Sequence, residues 1–402
     1  MKLAKIRADM LQVGAPVPFD IYSPAGTLLL RRGHLVESEL ALERLVETGL
    51  FNWKDVEAQA SRARSSSSNR VVSEFSRLPS ELARNRVSIF DRLTEAAHAL
   101  DDVRSLEPPA AGFEAAIRST AASIRECCAL DSDAALAQIL LAESLRHSPR
   151  HSTSVAILTA LLLSRQRHDP VRTESAVAAA LTMNFAIFDL QDMLCRQQEP
   201  LTSEQHSALQ LHPGEGAKML RNHGIEDATW LQAVEQHHEA RNGSGYPAGL
   251  KEPAIGLEAQ VVSLADRYCV LVSPRAYRPA LSPRQAIKEL NDRAAQAIDP
   301  SLIAALIAAV GLFPPGAFVR LANGETAIVV RRLLDPRHPV VYALHQDTTP
   351  PYESPKKRLT ASHRELEIIA DVKPESVRVK VEPDKLWPPS AIADTPPANP
   401  PP

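Results

Sequence analysis

No apolar run in the chain approaches the roughly 18 residues that a membrane-spanning helix needs; Val155–Leu163 is among the longest. Cysteine is scarce as well. Cys127, Cys128, Cys195 and Cys269 form no CxxC spacing, and the adjacent pair Cys127–Cys128 has poor geometry for a disulfide. This usage predicts buried free thiols in a reducing compartment. Aromatic residues make up only 4% of the chain, and neither sign of charge dominates: 45 Lys+Arg stand against 48 Asp+Glu, a formal net charge of −3. That balance removes the electrostatic case for DNA as a partner. The first ten residues, MKLAKIRADM, lack the apolar stretch of a signal peptide. The expectation is a cytoplasmic chain with no membrane insertion.

The 402 residues include 44% apolar and 23% charged side chains, enough for a real core and about two or three domains. Residues 1–60 read as a small α/β module. Val17–Tyr22, the turn cluster Ser23–Gly26 and Thr27–Leu30 predict a hairpin, and Glu37–Thr48 predicts a helix closed by Gly49. Residues 61–110 read as a linker, beginning with SRARSSSSN, followed by a helix near Arg86–Ala99. From 111 to 313 the pattern is helical, with apolar residues recurring at three and four in Ala134–Leu145, Ser154–Ser164, Thr173–Leu181 and Ile287–Ala297. Residues 314–385 read as a β-rich extension. Asn323-Gly324 predicts a type I′ turn between Phe318–Leu321 and Thr326–Val330, and further strands are expected at Val340–Leu344 and Val377–Val381. Residues 386–402, rich in Pro, predict a disordered tail, and removing everything after Lys385 is expected to cost nothing.

The densest chemical signal is Gln236-His237-His238-Glu239-Ala240-Arg241-Asn242-Gly243-Ser244-Gly245-Tyr246-Pro247. Adjacent imidazoles at a helix end can approach one metal cluster, and neutral imidazole is the commonest metal ligand. A surface helix end with a Gly-rich turn fits the same spacing. His151 on an Ala/Leu-rich helix reads equally as a core histidine, whereas Asp266, after the mostly apolar Val261–Ala265, needs a cation or a hydrogen-bond cage. His168, His206, His223 and His338 read as surface positions.

The stretch from His237 to Pro247 resembles the signature HHExxDGxGYP of the HD-GYP family of helical, metal-dependent phosphodiesterases, with Asn242 at the position of its Asp. The resemblance covers about 200 residues. Val262–Asp266 is similar to the family's "aDxyDA" segment, Arg275–Arg278 to its "RpYr" segment, and His212-Pro213 with Gly216 to its "Hp..G" element. It implies a mainly α fold: an HD-type helical core with a small N-terminal α/β module and a C-terminal β extension. It also implies His151, His212, His237, His238 and Asp266 as metal positions, and Arg275, Arg278, Gly243, Gly245, Tyr246 and Pro247 as substrate-binding residues. The implied ancestral activity is hydrolysis of the bacterial second messenger cyclic di-GMP with divalent Fe or Mn.

The His-Asp doublet that names the family does not recur. Where the family reads LLHDIGKLGIPDEIL, this chain has Met183 and Asn184 at the doublet and Ile187 at the Lys, while His147 falls where some members carry a Glu ligand. A neutral amide is a weaker bridge than a carboxylate, and a thioether suits soft metals. No residue is therefore a confident catalytic assignment. The expectation is at most one metal, on His212, His237 and His238, in a regulatory or binding protein with lost or weak phosphodiesterase activity. Two rivals are a working cyclic di-GMP phosphodiesterase and a pure interaction module that binds a signalling partner such as a GGDEF-domain protein.

Overall fold

The computed structural model describes residues 3–5, 17, 21–22, 28–30, 50–52, 86–142, 146–294, 297–347, 350–377 and 379–391. The chain forms two units, Met1–Asn85 and Arg86–Pro402. In the first, β1 (Leu3–Lys5), β2 (Ile21–Tyr22), β3 (Leu28–Leu30) and β4 (Leu50–Asn52) form a sheet of order β1-β4-β2-β3 with antiparallel pairs. The β2–β3 pairing is the hairpin expected from the Ser23–Gly26 turn cluster. The helix expected at Glu37–Thr48 and the linker at 61–69 lie outside the described residues.

The second unit is mainly α. Its helices are α1 (Ile89–Arg104), α2 (Phe113–Leu130), α3 (Ser132–Leu141), α4 (His147–Arg165), α5 (Pro170–Thr182), α6 (Phe188–Leu194), α7 (Ser203–Asn222), α8 (Ala228–Gln236), α9 (Leu257–Val272), α10 (Pro283–Ala294) and α11 (Pro300–Val310). The ends are set by local chemistry. Asp169 caps α5 by accepting from the Val171 and Arg172 amides, with Pro170 in the first turn, and Thr202 with Gln205 forms a capping box on α7. The centre of the bundle is α4, buried almost continuously from His147 to Leu163. Small residues such as Ser152, Ala156 and Ala160 let α5 and α9 approach it closely.

Among the described residues, one helical stretch, Pro170–Leu194, is long and apolar enough by composition to cross a membrane. It comprises α5, a 3-10 turn at Phe185–Ile187 and α6, and 67% of its most apolar window is buried inside the fold. Burial among helices accounts for its composition.

After β5 (Arg86–Val87), which precedes the helices, strands β6 (Phe318–Leu321), β7 (Glu325–Arg331), β8 (Val340–Gln346), β9 (Lys356–Leu359) and β10 (Ile368–Val372) form an antiparallel sheet of order β10-β6-β7-β8-β9. The Asn323-Gly324 hairpin forms, but only Gly324 has a positive φ, of 81°, and the Gly324 amide donates to the Leu321 carbonyl. A three-residue loop closed by a left-handed glycine therefore replaces the type I′ turn. Among the described residues of Val377–Val381 no strand forms. Pro374 opens a 3-10 turn there, and Val377, Val379 and Val381 alternate inward against the helical core instead. Phe318, Ile328, Val330 and Leu344 belong to the same core as the helices. Arg331 and Arg332 reinforce this contact through ion pairs to Asp131 and Asp133 at the start of α3.

The expected tail begins too early. Leu386 and Trp387 are buried, and Trp387 packs against Phe90 while its indole N–H donates to the Val330 carbonyl at 3.0 Å. Asp384 accepts from Ser88 at 2.7 Å, and Ser390–Ala391 pairs with Arg86–Val87. Residues 386–391 thus belong to the fold, because one large aromatic finds a slot between α1 and β7. Cutting after Lys385 removes that anchor. Trp387→Ala is expected to cost about 3–5 kcal/mol in urea unfolding followed by circular dichroism. Leu334→Ser, at a side chain 88% exposed, is expected to stay within about 0.5 kcal/mol.

Candidate metal centre

His212 lies midway along α7, and His237 and His238 end α8. One ligand atom from each of the three lies within 4.8 Å of the others. The orientation of two of them is fixed from behind. His212 Nδ1 donates to the Leu209 carbonyl at 2.7 Å, and His237 Nδ1 donates to the Val234 carbonyl at 2.7 Å. A neutral imidazole has one N–H, so both Nε2 atoms are left with lone pairs. Those two atoms stand 3.1 Å apart. Two acceptors at that distance repel unless a cation lies beside them.

A proton is a poor candidate for that cation. Burial, reinforced by His237, pushes His212 down to about 3, and burial likewise lowers His237 and His238. Three neutral imidazoles, two of them held by backbone carbonyls, fit a divalent transition ion.

The loop after His238 holds the third imidazole. Tyr246 stacks on the His238 ring at 4.7 Å, and its amide donates to the His238 carbonyl. Gly245 is required here: a Cβ would fall within 2.5 Å of the His238 carbonyl oxygen and Glu239 Cα. Glu239, buried, accepts from the Ala248 and Leu250 amides at 2.7 and 2.9 Å and so closes the loop. The HHE motif contained this residue, but its anchoring role was not read from it. Asn242 accepts from both the amide and the hydroxyl of Ser244, a turn that needs only a side-chain oxygen and so tolerates Asn. Gly243, at φ 82°, lets the loop turn, and Pro247 is exposed beside it.

His151 and Asp266 form a separate buried pair, His151 Nε2 to Asp266 Oδ1 at 2.7 Å, with His151 Nδ1 left without a partner. Burial alone would raise the Asp266 pKa. The His151 hydrogen bond and the imidazoles of His238 and His237 outweigh it and hold the carboxyl below its usual range. Of the five expected metal positions, the structure thus clusters three and joins the other two in a neighbouring pair.

Arg275 is half-buried and donates to His147. Arg278 turns its guanidinium to the protein's own backbone: it donates to the carbonyls of Val270, Leu271 and Pro279, and so caps the last turn of α9, whose final carbonyls have no amide four residues on to bond. Met183, Asn184 and Ile187 are all buried. The Met183 carbonyl lies 3.5 Å from where a Cβ would sit on Gly216, one turn beyond His212, so this segment packs on the His212 side of α7.

Two of the histidines read as surface positions are not on the surface. His223 is buried in a stack on Phe113, 3.9 Å between centroids, and His168 is half-buried against Glu258 at 2.8 Å. Each is covered by a helix distant in sequence, which local spacing does not report.

Residues 135–302 match the family model described as HD domain. Over 216 residues the chain is 30% identical to a cyclic di-GMP phosphodiesterase of Pseudomonas aeruginosa, covering 52% of this chain and 52% of that protein. Over 174 residues it is 29% identical to a cyclic di-GMP phosphodiesterase of Vibrio cholerae, covering 42% of this chain and 33% of that protein. The chain thus spans about half the length, or less, of these relatives. A solved HDG"Y"P protein from Bdellovibrio bacteriovorus aligns with a TM-score of 0.48 at 18% identity, covering 76% of this chain and 98% of that one. The helical core of this chain is thus similar to HD domains over residues 135–302, and the relatives it matches are named cyclic di-GMP phosphodiesterases.

Two outcomes follow from this geometry. Unfolded histidine binds a proton near pH 6.5, whereas folded His212 does so only at about 3. The unfolded state therefore holds more protons across that window, and stability falls as pH falls, by up to about 1.4 kcal/mol per pH unit for each such group. Urea midpoints of metal-free protein between pH 7 and 4 should show this decline. Gly245→Ala should open the loop, seen as faster amide exchange at Ala248 and Leu250.

Proposed function

We propose that this chain is a regulatory or binding protein of cyclic di-GMP signalling whose phosphodiester hydrolysis is lost or weak, and that it holds one divalent Fe or Mn ion on His212, His237 and His238. The observation that carries this reading is the pair of Nε2 lone pairs 3.1 Å apart, a three-imidazole site with no carboxylate among its clustered ligand atoms. Asp266, the acidic residue nearest in electrostatic effect, is engaged by His151. Its relatives' names support cyclic di-GMP as the ligand class.

A single ion there would polarise a phosphoryl oxygen. Holding a second ion beside it calls for a bridging carboxylate, and the residues at the doublet positions, Met183 and Asn184, bring neither a carboxylate nor an imidazole. The protein's own contribution is then to bind and orient. His212, His237 and His238 fix the ion, Tyr246 holds His238 against rotation, and Arg275 supplies positive charge for a phosphate.

Purified protein supplied with Mn or ferrous iron is expected to bind cyclic di-GMP with little or no turnover. Met183→His/Asn184→Asp should raise hydrolysis by at least about tenfold, and each single substitution should do little, because the two ligands act as one unit. Efficient turnover by the unaltered protein would overturn the proposal in favour of a working phosphodiesterase.

A further inference from the structure

Several arginines near the centre have their charge answered. Arg146 pairs with Asp101, Asp189 and Asp192, Arg172 pairs with Glu258, and Arg278 is spent on backbone carbonyls. Arg275 differs. Among the described residues no carboxylate pairs with it, and its Nε is buried without a hydrogen-bond partner. Its one side-chain hydrogen bond runs from Nη1 to Nε2 of His147, at 2.5 Å.

The backbone of Arg275 is fixed independently. Its amide bonds the Arg278 carbonyl, the Arg278 amide returns the bond, and the Ala276 amide reaches the Cys195 carbonyl. His147 is fixed too, as the first residue of α4, with its ring stacked nearly parallel on His151, 5.6 Å between centroids. His151 in turn bonds Asp266. The guanidinium is therefore held between two anchored elements, and among the described residues no protein acceptor takes its remaining N–H groups.

A half-buried guanidinium whose Nε is buried without a partner is costly to hold without an anion unless a ligand supplies one. We propose that His147 is a positioning residue. As a neutral acceptor it orients Arg275 without cancelling its charge, which keeps that charge whole for a phosphodiester or diphosphate anion. A carboxylate in its place would hold the same guanidinium but neutralise it. Nε2 of His147 is taken by Arg275 and its Nδ1 faces Arg150 Nη2 at 3.5 Å, so neither ring nitrogen is turned to a metal. The inference rests on the phosphate-binding role given to Arg275 above.

The test uses full-length protein and two probes, cyclic di-GMP and inorganic pyrophosphate, in calorimetric titrations. His147→Gln keeps a neutral acceptor and should bind within about threefold of the parent. His147→Leu and His147→Glu should each weaken binding by about tenfold or more, the first through lost orientation and the second through lost charge. The loss in Arg275→Gln should not deepen when His147→Leu is added. Full affinity in His147→Glu, or losses at the two positions that multiply, would overturn the proposal. If pyrophosphate binding shows this pattern while cyclic di-GMP does not bind, the positioning role stands and the cyclic di-GMP reading fails. If neither probe binds the parent protein, the positioning role fails as well.

Discussion

Everything at the centre follows from two hydrogen bonds made on the far side of the ligand atoms. His212 and His237 each give their Nδ1 proton to a carbonyl three residues back on their own helix, and so present bare Nε2 atoms to each other. Such backing is the usual way a protein sets the tautomer and direction of a metal-binding imidazole. It requires α7 and α8 to lie close, which Gly216 permits by letting Val234 pack against the helix without an intervening side chain. Closeness of the helices, choice of tautomer and the need for a cation are thus one constraint.

The surroundings of the centre are built to keep it polar yet dry. Burial holds the three histidines neutral, Glu239 pins the loop that carries Tyr246, and the His151–Asp266 pair places a negative charge nearby without offering a fourth ligand atom within the cluster. The same burial makes the apo state sensitive to acid, since each imidazole is deprived of a proton it would bind when unfolded. A metal bound there would be coupled to folding through these groups.

The helices were legible because apolar residues recur at three and four along them, and His237-His238 with the Gly-Tyr-Pro loop was legible as a motif. What escaped reading depends on distant partners. Trp387 looked like the start of a tail because its slot is made by Phe90 and Val330. Arg278 reads as a phosphate contact in the sequence, and its bonds to the carbonyls at the end of α9 were not part of that reading. The His147–Arg275 bond joins residues 128 positions apart, and nothing in either neighbourhood announces it. The turn at Asn323-Gly324 was legible as a turn, but its type depended on how far the β6–β7 pairing runs, and that ends at Arg320–Thr326.

The central claim is that this helical core holds one ion on three imidazoles. X-ray absorption of Mn- or Fe-loaded protein tests it most directly, because the outer-shell scattering counts imidazoles and reports any neighbouring metal. Three imidazoles and no metal–metal vector are the expected result. A metal–metal vector at about 3.5–4 Å, the separation of a binuclear hydrolytic site, would contradict it.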